Sequence, residues 1–504
     1  MGAEELARPS SRALSAVVFG AGTGTLAVEI AASRLLAPYY GSSTIVWANL
    51  IGLVLLALAL GYLLGGKLAD RRPEGRVLGW IVLAAGAYVA ILPFVTRPIL
   101  DLAAEGLDEL SAGAVVGSFF ATLLLFAPPV FALGMVSPFA IRLALERVGS
   151  AGEVAGRLYA LSTAGSLLGA FLPALVTIPL VGTQRTLIGS AVVLAAASAP
   201  LLGGRSLVAA VAVGVLLAVP PGVVKQSEGE ILFERESRYQ FVQVVEQDGV
   251  RRLYLNEGIA VHSLYRPGTV LTGGEWDAFL AVPALLDREP RTLAVLGNAG
   301  GTIARAYGRF WPEVAIDGVE IDPAVSEAAR RYLGLRDNPR LRVVDADARP
   351  FLRRTDKRYD LIFVDAYHQP YVPFYLATKE FFELVRSRLA PGGVLALNVA
   401  TVPGDRRLVD GIAGTVAAVF PEVRIWPPLR FNSFVIGLTR PAQALRPVPV
   451  LGDLFERQLS GPVAPAADPW TDDRAPVEWV TDRMILQYAA EGGRLDERRL
   501  PTRP

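Results

Sequence analysis

The stretch TLAVLGNAGGTIARA, residues 292–306, decides how the C-terminal half of this 504-residue chain is read. An apolar run leads into Gly297, a turn rich in glycine follows, and Thr302 opens a helical pattern. That order of strand, glycine turn and helix leaves free backbone amides where a nucleotide-like ligand can approach. Further along lie VAIDGVEID (314–322), LRVVDAD (341–347), YDLIFVDAY (359–367) and VLALNVA (394–400). With the first stretch they predict five strands, each apolar throughout, as parallel strands covered on both faces must be. Helical patterns at 323–333 and 377–389 connect them, giving a doubly wound, Rossmann-like α/β domain of the methyltransferase type.

Ligands of such sheets bind beyond the carboxyl ends of the strands. The rule selects residues 297–301, Glu320 with Asp322, Asp347 with the following Ala348, and Asp365. Gly297, Gly300 and Gly301 permit close backbone approach beside Asn298. Glu320 is placed to accept both hydroxyls of a ribose, and Asp347 to accept from the exocyclic amine of an adenine. Asp322 precedes Pro323 and reads as a helix cap. Together these describe an adenosine site.

Upstream, ILFERESRYQFVQVVEQDGVRRLYLNEG (231–258) alternates around the turn pair Asp248-Gly249. It predicts β-hairpins, a piece that could serve as a lid or as the contact of a homodimer. The expected division is 1–224 for a membrane domain, 225–285 for this small β domain and 286–504 for the Rossmann-like domain.

The first 224 residues follow another rule. The whole chain is 52% hydrophobic and 19% charged, with a mean hydropathy of +0.39, and the two characters are segregated. A bilayer core needs roughly 20 apolar residues per helix. About seven such runs occur, at 13–35, 45–66, 77–97, 113–141, 157–181, 184–202 and 206–223, an α-helical transmembrane bundle set in a lipid bilayer. Gly61 with Gly65, and Gly165 with Gly169, have the spacing that lets helices pack closely in lipid. GAGTG at 20–24 lies inside a span with no strand before it and is not a nucleotide loop. Glu29, an ionisable residue in mid-span, is either functional or a structural pair with Arg34.

Lys67, Arg71, Arg72 and Arg76 crowd one loop, and Arg142, Arg147 and Arg157 another, so both loops and the N-terminus are expected in the cytoplasm. Seven spans would then carry the C-terminal domain outside. Cytosolic substrates ask for the opposite: either one run is not a full span, 113–141 being the suspect because Pro128, Pro129 and Pro138 interrupt it, or the chemistry is of another kind.

A net charge of +1, with no basic run interleaved with aromatics, gives no footprint for nucleic acid. The chain has no cysteine and two histidines, His262 and His368, which excludes disulfides and thiol nucleophiles and argues against a metal centre.

ESRYQFVQVVE, LYLNEG, LGNAGGT, VEIDP, DADARPFL, YDLIFVDAYHQP and FFELVRSRLAPGGVLALN follow one another between about 230 and 400. Their order and spacing resemble the polyamine aminopropyltransferases, the spermidine synthase family. The membrane half and TDDRAPVE (471–478) resemble its membrane-fused branch. The resemblance implies aminopropyl transfer from decarboxylated S-adenosylmethionine, a co-substrate rather than a bound cofactor, to a polyamine such as putrescine, with release of methylthioadenosine. It implies Asp365 as the catalytic aspartate, and Tyr239 and Gln240 as the family's tyrosine–glutamine pair; Tyr367 either supports Asp365 or packs. Glu320 takes the ribose role and Asp347 the adenine role.

Departures accompany it. Ala299 stands where the family's glycine loop carries an acid, and His368 or Gln369 where a second aspartate follows the first. GGEWD (273–277) replaces a tyrosine–histidine–glutamate segment, retaining Glu275 and Asp277. Asp472, Asp473 and Glu478 are acids that could compensate; His368 could instead hold an anionic group, implying a different acceptor. Two other readings use the same residues. One is a methyltransferase using intact S-adenosylmethionine. The other is a polyamine transporter with a sensing domain, drawn from GGKLADRRPEGR (65–76), which resembles a loop of major-facilitator transporters, and from Glu29.

Overall fold

The computed structural model describes residues 9–40, 44–107, 113–145, 151–219, 227–256, 260–367, 371–441 and 444–491. The chain divides into two compact units, Met1–Gln226 with Arg235–Phe241, and Ser227–Glu234 with Val242–Pro504.

The first unit is helical. Five helices are long and apolar enough to cross a membrane: Ser11–Tyr40, Val46–Arg71, Gly75–Leu100, Val116–Ala144 and Ala151–Leu202. A shorter apolar helix, Gly204–Ala218, follows. The expected seven runs are thus recut, because 157–181 and 184–202 merge into one stretch of 52 residues. Gly182 breaks that stretch, with φ 84° and ψ 167°. The proline-rich run expected to fail forms a long helix instead. A π-helical turn at Thr122–Phe126 precedes Pro128 and Pro129, which fall in the first turn of Ala127–Gly134, where proline costs little. GAGTG is helical. The spaced glycines are packing residues. A Cβ on Gly165 would meet the Phe19 carbonyl oxygen at 2.1 Å, and one on Gly61 the Phe131 carbonyl oxygen at 2.4 Å.

The two ends of this unit differ. At one, Gly75 lies against Pro9 and Leu201, and Arg142 pairs with Asp70 at 2.8 Å. At the other, the segment Arg235–Phe241 is held. Glu236 Oε2 accepts from Thr183 N at 2.8 Å and Thr183 Oγ1 at 2.5 Å, just past the Gly182 break, and Arg34 Nη2 donates to the Arg238 carbonyl at 2.8 Å.

The second unit begins with a four-stranded meander, β1 (Glu230–Glu236), β2 (Phe241–Gln247), β3 (Val250–Leu255) and β4 (Val261–Tyr265), in that order. Asp248 and Gly249 turn between β2 and β3 with φ of 53° and 70°, the left-handed pair that matches strand twist in a two-residue hairpin. Its apolar face packs on the helix Pro323–Tyr332 through Val242, Val244, Leu253, Val325 and Ala329.

A seven-stranded sheet follows: β5 (Thr292–Leu296), β6 (Ala315–Glu320), β7 (Leu341–Asp345), β8 (Tyr359–Val364), β9 (Leu389–Ala400), β10 (Glu422–Trp426) and β11 (Asn432–Leu438). Its order is β10-β11-β9-β8-β5-β6-β7. β5 to β9 are the five parallel strands expected. β10 and β11 are additional, with β11 antiparallel to both β9 and β10, so the sheet is mixed. Along β5, Ala294 and Leu296 enter one core and Leu293 and Val295 the other, and β8 alternates likewise. Burial on both faces is why these strands read as unbroken apolar runs. The order reverses between β5 and β8, so their C-terminal ends open a crevice at the switch point.

Candidate active site

The glycine turn closes that switch point. Gly297 has φ 90°, and its amide and that of Asn298 both donate to the Val319 carbonyl at 2.9 Å. A Cβ on Gly297 would sit 2.4 Å from the Asp365 carbonyl oxygen, and Asp365 N donates to the Leu296 carbonyl at 2.8 Å. The missing side chain therefore brings the ends of β5 and β8 together. Asn298 folds its buried side chain over Gly318, where a Cβ would lie 2.6 Å from its Oδ1. Ala299 takes φ 43° and donates from its amide to Glu320 Oε2 at 2.9 Å. Gly300 N donates to Ser263 Oγ at 2.8 Å, and Gly301, at φ 77°, precedes the helix Thr302–Phe310.

The acids divide into two groups. Glu320, buried at the end of β6, also accepts from Asp322 N at 3.1 Å; burial pushes its carboxyl up to about 7, the two amide donors opposing it. Asp365, just past β8, is pushed up to about 6 by burial, against an amide bond from Asn398 Nδ2 to its Oδ1 at 2.9 Å. The Tyr367 phenol is raised well above its ordinary value by burial, then by Asp365 and by Glu275, and it donates to the Asn398 carbonyl at 3.0 Å. These shifts place Asp365, Tyr367 and Glu275 in one electrostatic neighbourhood.

Other acids also make structural hydrogen bonds. Asp322 caps Ala324 N at 2.9 Å, as expected. Asp347 caps Arg349 N at 2.9 Å, ahead of Ala348, and its Oδ2 accepts from the Tyr375 hydroxyl at 3.2 Å. Asp277, fully buried, accepts from Thr272 N, Thr272 Oγ1 and Gly273 N and so locks the loop before Glu275. Asp472 receives a bidentate bond from Arg349 at 2.8 and 2.6 Å and one from Thr378 Oγ1 at 2.8 Å, which occupies it structurally. Tyr239 and Gln240 belong to the helical unit, where Ser237 Oγ accepts from both of their amides at 2.9 and 3.0 Å. His368 lies outside the described residues. Among the described residues no group of histidines and acids could hold a metal ion.

One element of the site was not foreseen from the sequence. Asn432 Nδ2, on β11, donates to Asn398 Oδ1 at 3.0 Å, and Asn398, on β9, turns its own amide nitrogen to Asp365. Because the Asn398 oxygen already accepts, its NH2 group is the one that faces the carboxylate. An asparagine inside the apolar run VLALNVA was the available sign. Beside this relay lies a cavity of about 120 Å³ lined by Arg252, Glu275, Trp276, Arg430, Phe431 and Asn432.

The mixed sheet carries a glycine turn at its switch point, with Glu320 and Asp365 at the ends of β6 and β8, the arrangement of a Rossmann-like α/β domain. Residues 277–426 match the spermine/spermidine synthase domain. The "Probable polyamine aminopropyl transferase" of Bifidobacterium longum (strain NCC 2705) is 35% identical over 195 residues, 38% of this chain and 43% of that protein. The "Polyamine aminopropyltransferase" of Vibrio vulnificus (strain CMCP6) is 29% identical over 202 residues, 39% of this chain and 67% of that protein. A solved spermidine synthase in complex with the transition state analogue AdoDATO matches 48% of this chain and 82% of its own at 20% identity, with a TM-score of 0.37. The chain thus spans less than half of the Bifidobacterium relative.

Proposed function

We propose that this chain is a membrane-anchored aminopropyltransferase that uses decarboxylated S-adenosylmethionine and an amine acceptor, with putrescine as the reference acceptor. The acceptor nitrogen attacks the methylene carbon bound to the sulfonium. As the new C–N bond forms, the C–S bond breaks and its electron pair returns to sulfur, releasing methylthioadenosine. The nitrogen must then lose a proton, and Asp365 accepts it. A sulfonium is already an excellent leaving group, so the protein's tasks are alignment and proton removal. The observation that carries the reading is the state of Asp365: half-buried at the end of β8, raised to about 6, and held through one oxygen by Asn398. Such a carboxylate is ionised at neutral pH yet takes a proton more readily than an exposed one. Glu320 is assigned to the ribose hydroxyls, the amides of the glycine turn to the donor, Asp347 to the adenine, and Tyr239 and Gln240 to the aminopropyl or amine end. Purified protein given the decarboxylated donor and several amines should release methylthioadenosine; silence with every amine would overturn the proposal.

The helical unit is assigned seven passes. At about 1.5 Å per residue the stretch Ala151–Leu202 is far longer than a bilayer core of roughly 30 Å, and its break at Gly182 supports two passes. Gly204–Ala218 is the short seventh. The basic loops with Lys67, Arg71, Arg72, Arg76 and Arg142 sit at the Gly75 end, which the positive-inside rule makes cytoplasmic. An odd number of passes from a cytoplasmic N-terminus supports a catalytic unit on the far side of the membrane, in place of the cytoplasmic side expected from its substrates. The chain has no cysteine, so single cysteines at Asp356 and Arg72, both exposed, can be labelled cleanly. In right-side-out vesicles an impermeant maleimide should reach Asp356→Cys and spare Arg72→Cys; the reverse pattern would return the unit to the cytoplasm.

A further inference from the structure

We infer that the cavity lined by Arg252, Glu275, Arg430 and Asn432 is built for an acceptor that carries an anionic group as well as its amine. The inference rests on the aminopropyl-transfer reading. Two guanidinium groups, Arg252 and Arg430, and one carboxylate, Glu275, line the cavity, so its local charge is positive. Arg430 is fixed there: its Nη2 donates to the Tyr488 hydroxyl at 3.2 Å, and its guanidinium lies 5.3 Å from the centre of the Phe431 ring. Arg252 is carried on β3, where it pairs with Val245 in the meander. A diamine entering this space brings a second cation toward two guanidiniums, which like-charge repulsion opposes. An amine that ends in a carboxylate or phosphate meets the opposite field, since planar guanidiniums bind those groups with two parallel hydrogen bonds.

The polarity of the cavity orients such a molecule. Asn432 lines it and leads through Asn398 to Asp365, and Glu275, which also lines it, acts on the Tyr367 phenol beside Asp365. The ammonium end belongs with these acids and the anionic end with the arginines. About 120 Å³ accommodates a short chain of a few heavy atoms rather than a long polyamine. Trp276 and Phe431 supply apolar walls for its methylenes.

The test uses full-length protein in nanodiscs with decarboxylated S-adenosylmethionine. The acceptors are putrescine, 4-aminobutyrate, O-phosphoethanolamine, and phosphatidylethanolamine placed in the disc, and methylthioadenosine is measured. An acidic amine should exceed putrescine at least tenfold in kcat/KM. Among the acidic amines, the two soluble ones against the lipid tell a free acceptor from a headgroup. Arg430→Gln and Arg252→Gln should each cut that preference about tenfold, while Arg430→Lys should retain most of it. Putrescine as the best acceptor, with its rate untouched by either variant, would overturn the inference. Calorimetry with 4-aminobutyrate and putrescine reads the cavity separately from turnover. Tighter 4-aminobutyrate binding that is lost in Arg430→Gln sustains the inference even where no methylthioadenosine forms, a result that would instead sink aminopropyl transfer. Tighter putrescine binding overturns it.

Discussion

The helical unit and the α/β unit are both built from apolar runs, yet they place their polar groups by different rules. In the helical unit the outward faces stay apolar, with Leu180 77% and Val208 70% exposed, and backbones meet where glycines leave room. The hydrogen bonds of Thr183 and Arg34 gather at a helix end and hold a turn. In the α/β unit both faces of the sheet are covered, and the charged groups Glu320 and Asp365 lie at strand ends with raised proton affinity. Helices that meet at glycines associate by close contact, whereas a sheet covered on both faces can concentrate polarity at one edge. The polar groups of Thr183 and Arg34 therefore hold a turn in the first unit, and those of Glu320 and Asp365 gather at strand ends in the second.

That contrast can be broken most directly at Asp365. Asp365→Asn should lower methylthioadenosine release by about 10² to 10⁴, the usual worth of a positioned base, with donor binding retained in calorimetry. A fall of less than tenfold would move the chemistry elsewhere. Next come the glycines. Gly297→Ala forces a Cβ into the Asp365 carbonyl at a left-handed φ and should cost about 1–3 kcal/mol of stability together with most turnover. Gly165→Ala, whose Cβ meets the Phe19 carbonyl, should destabilise the helical unit on thermal melting and leave the pH profile of turnover unchanged.

A smaller effect tests the relay. Asp365 must be ionised to accept a proton, so activity should be lost as pH falls through about 6. The bond from Asn398 lowers that value, so Asn398→Ala should move the acid limb upward, and Asn432→Ala should move it the same way by less. An unmoved limb would reduce both asparagines to packing. The smallest effect is expected at Glu236→Gln, which weakens the cap on Thr183 and should cost roughly 1 kcal/mol in a melt of the helical unit.

The parallel strands were legible because burial on both sides makes a run apolar at every position. β10 and β11 were not, since Arg424 interrupts one and Asn432 and Ser433 open the other, and only the pairing of β11 with β9 and of β10 with β11 makes them strands. Asp248-Gly249 was legible because its backbone angles demand those residues. Among the acids, sequence could mark a strand end but not separate a ligand site from a helix cap, since both precede a helix. Asp347 and Asp365 fell under the same rule, and coordinates give the first to Arg349 N and the second to Asn398. The asparagine relay depends on the register that sets Phe434 opposite Asn398, which no local pattern encodes.

The seven residues Arg235–Phe241 have a practical consequence for anyone dissecting this protein. Removing everything before residue 227, the obvious route to a detergent-free enzyme, would preserve Tyr239 and Gln240 in sequence while discarding Thr183 and Arg34, which grip their loop. Under the proposed assignment of Tyr239 and Gln240, feeble turnover by that fragment would report a lost foothold, not a weak catalyst.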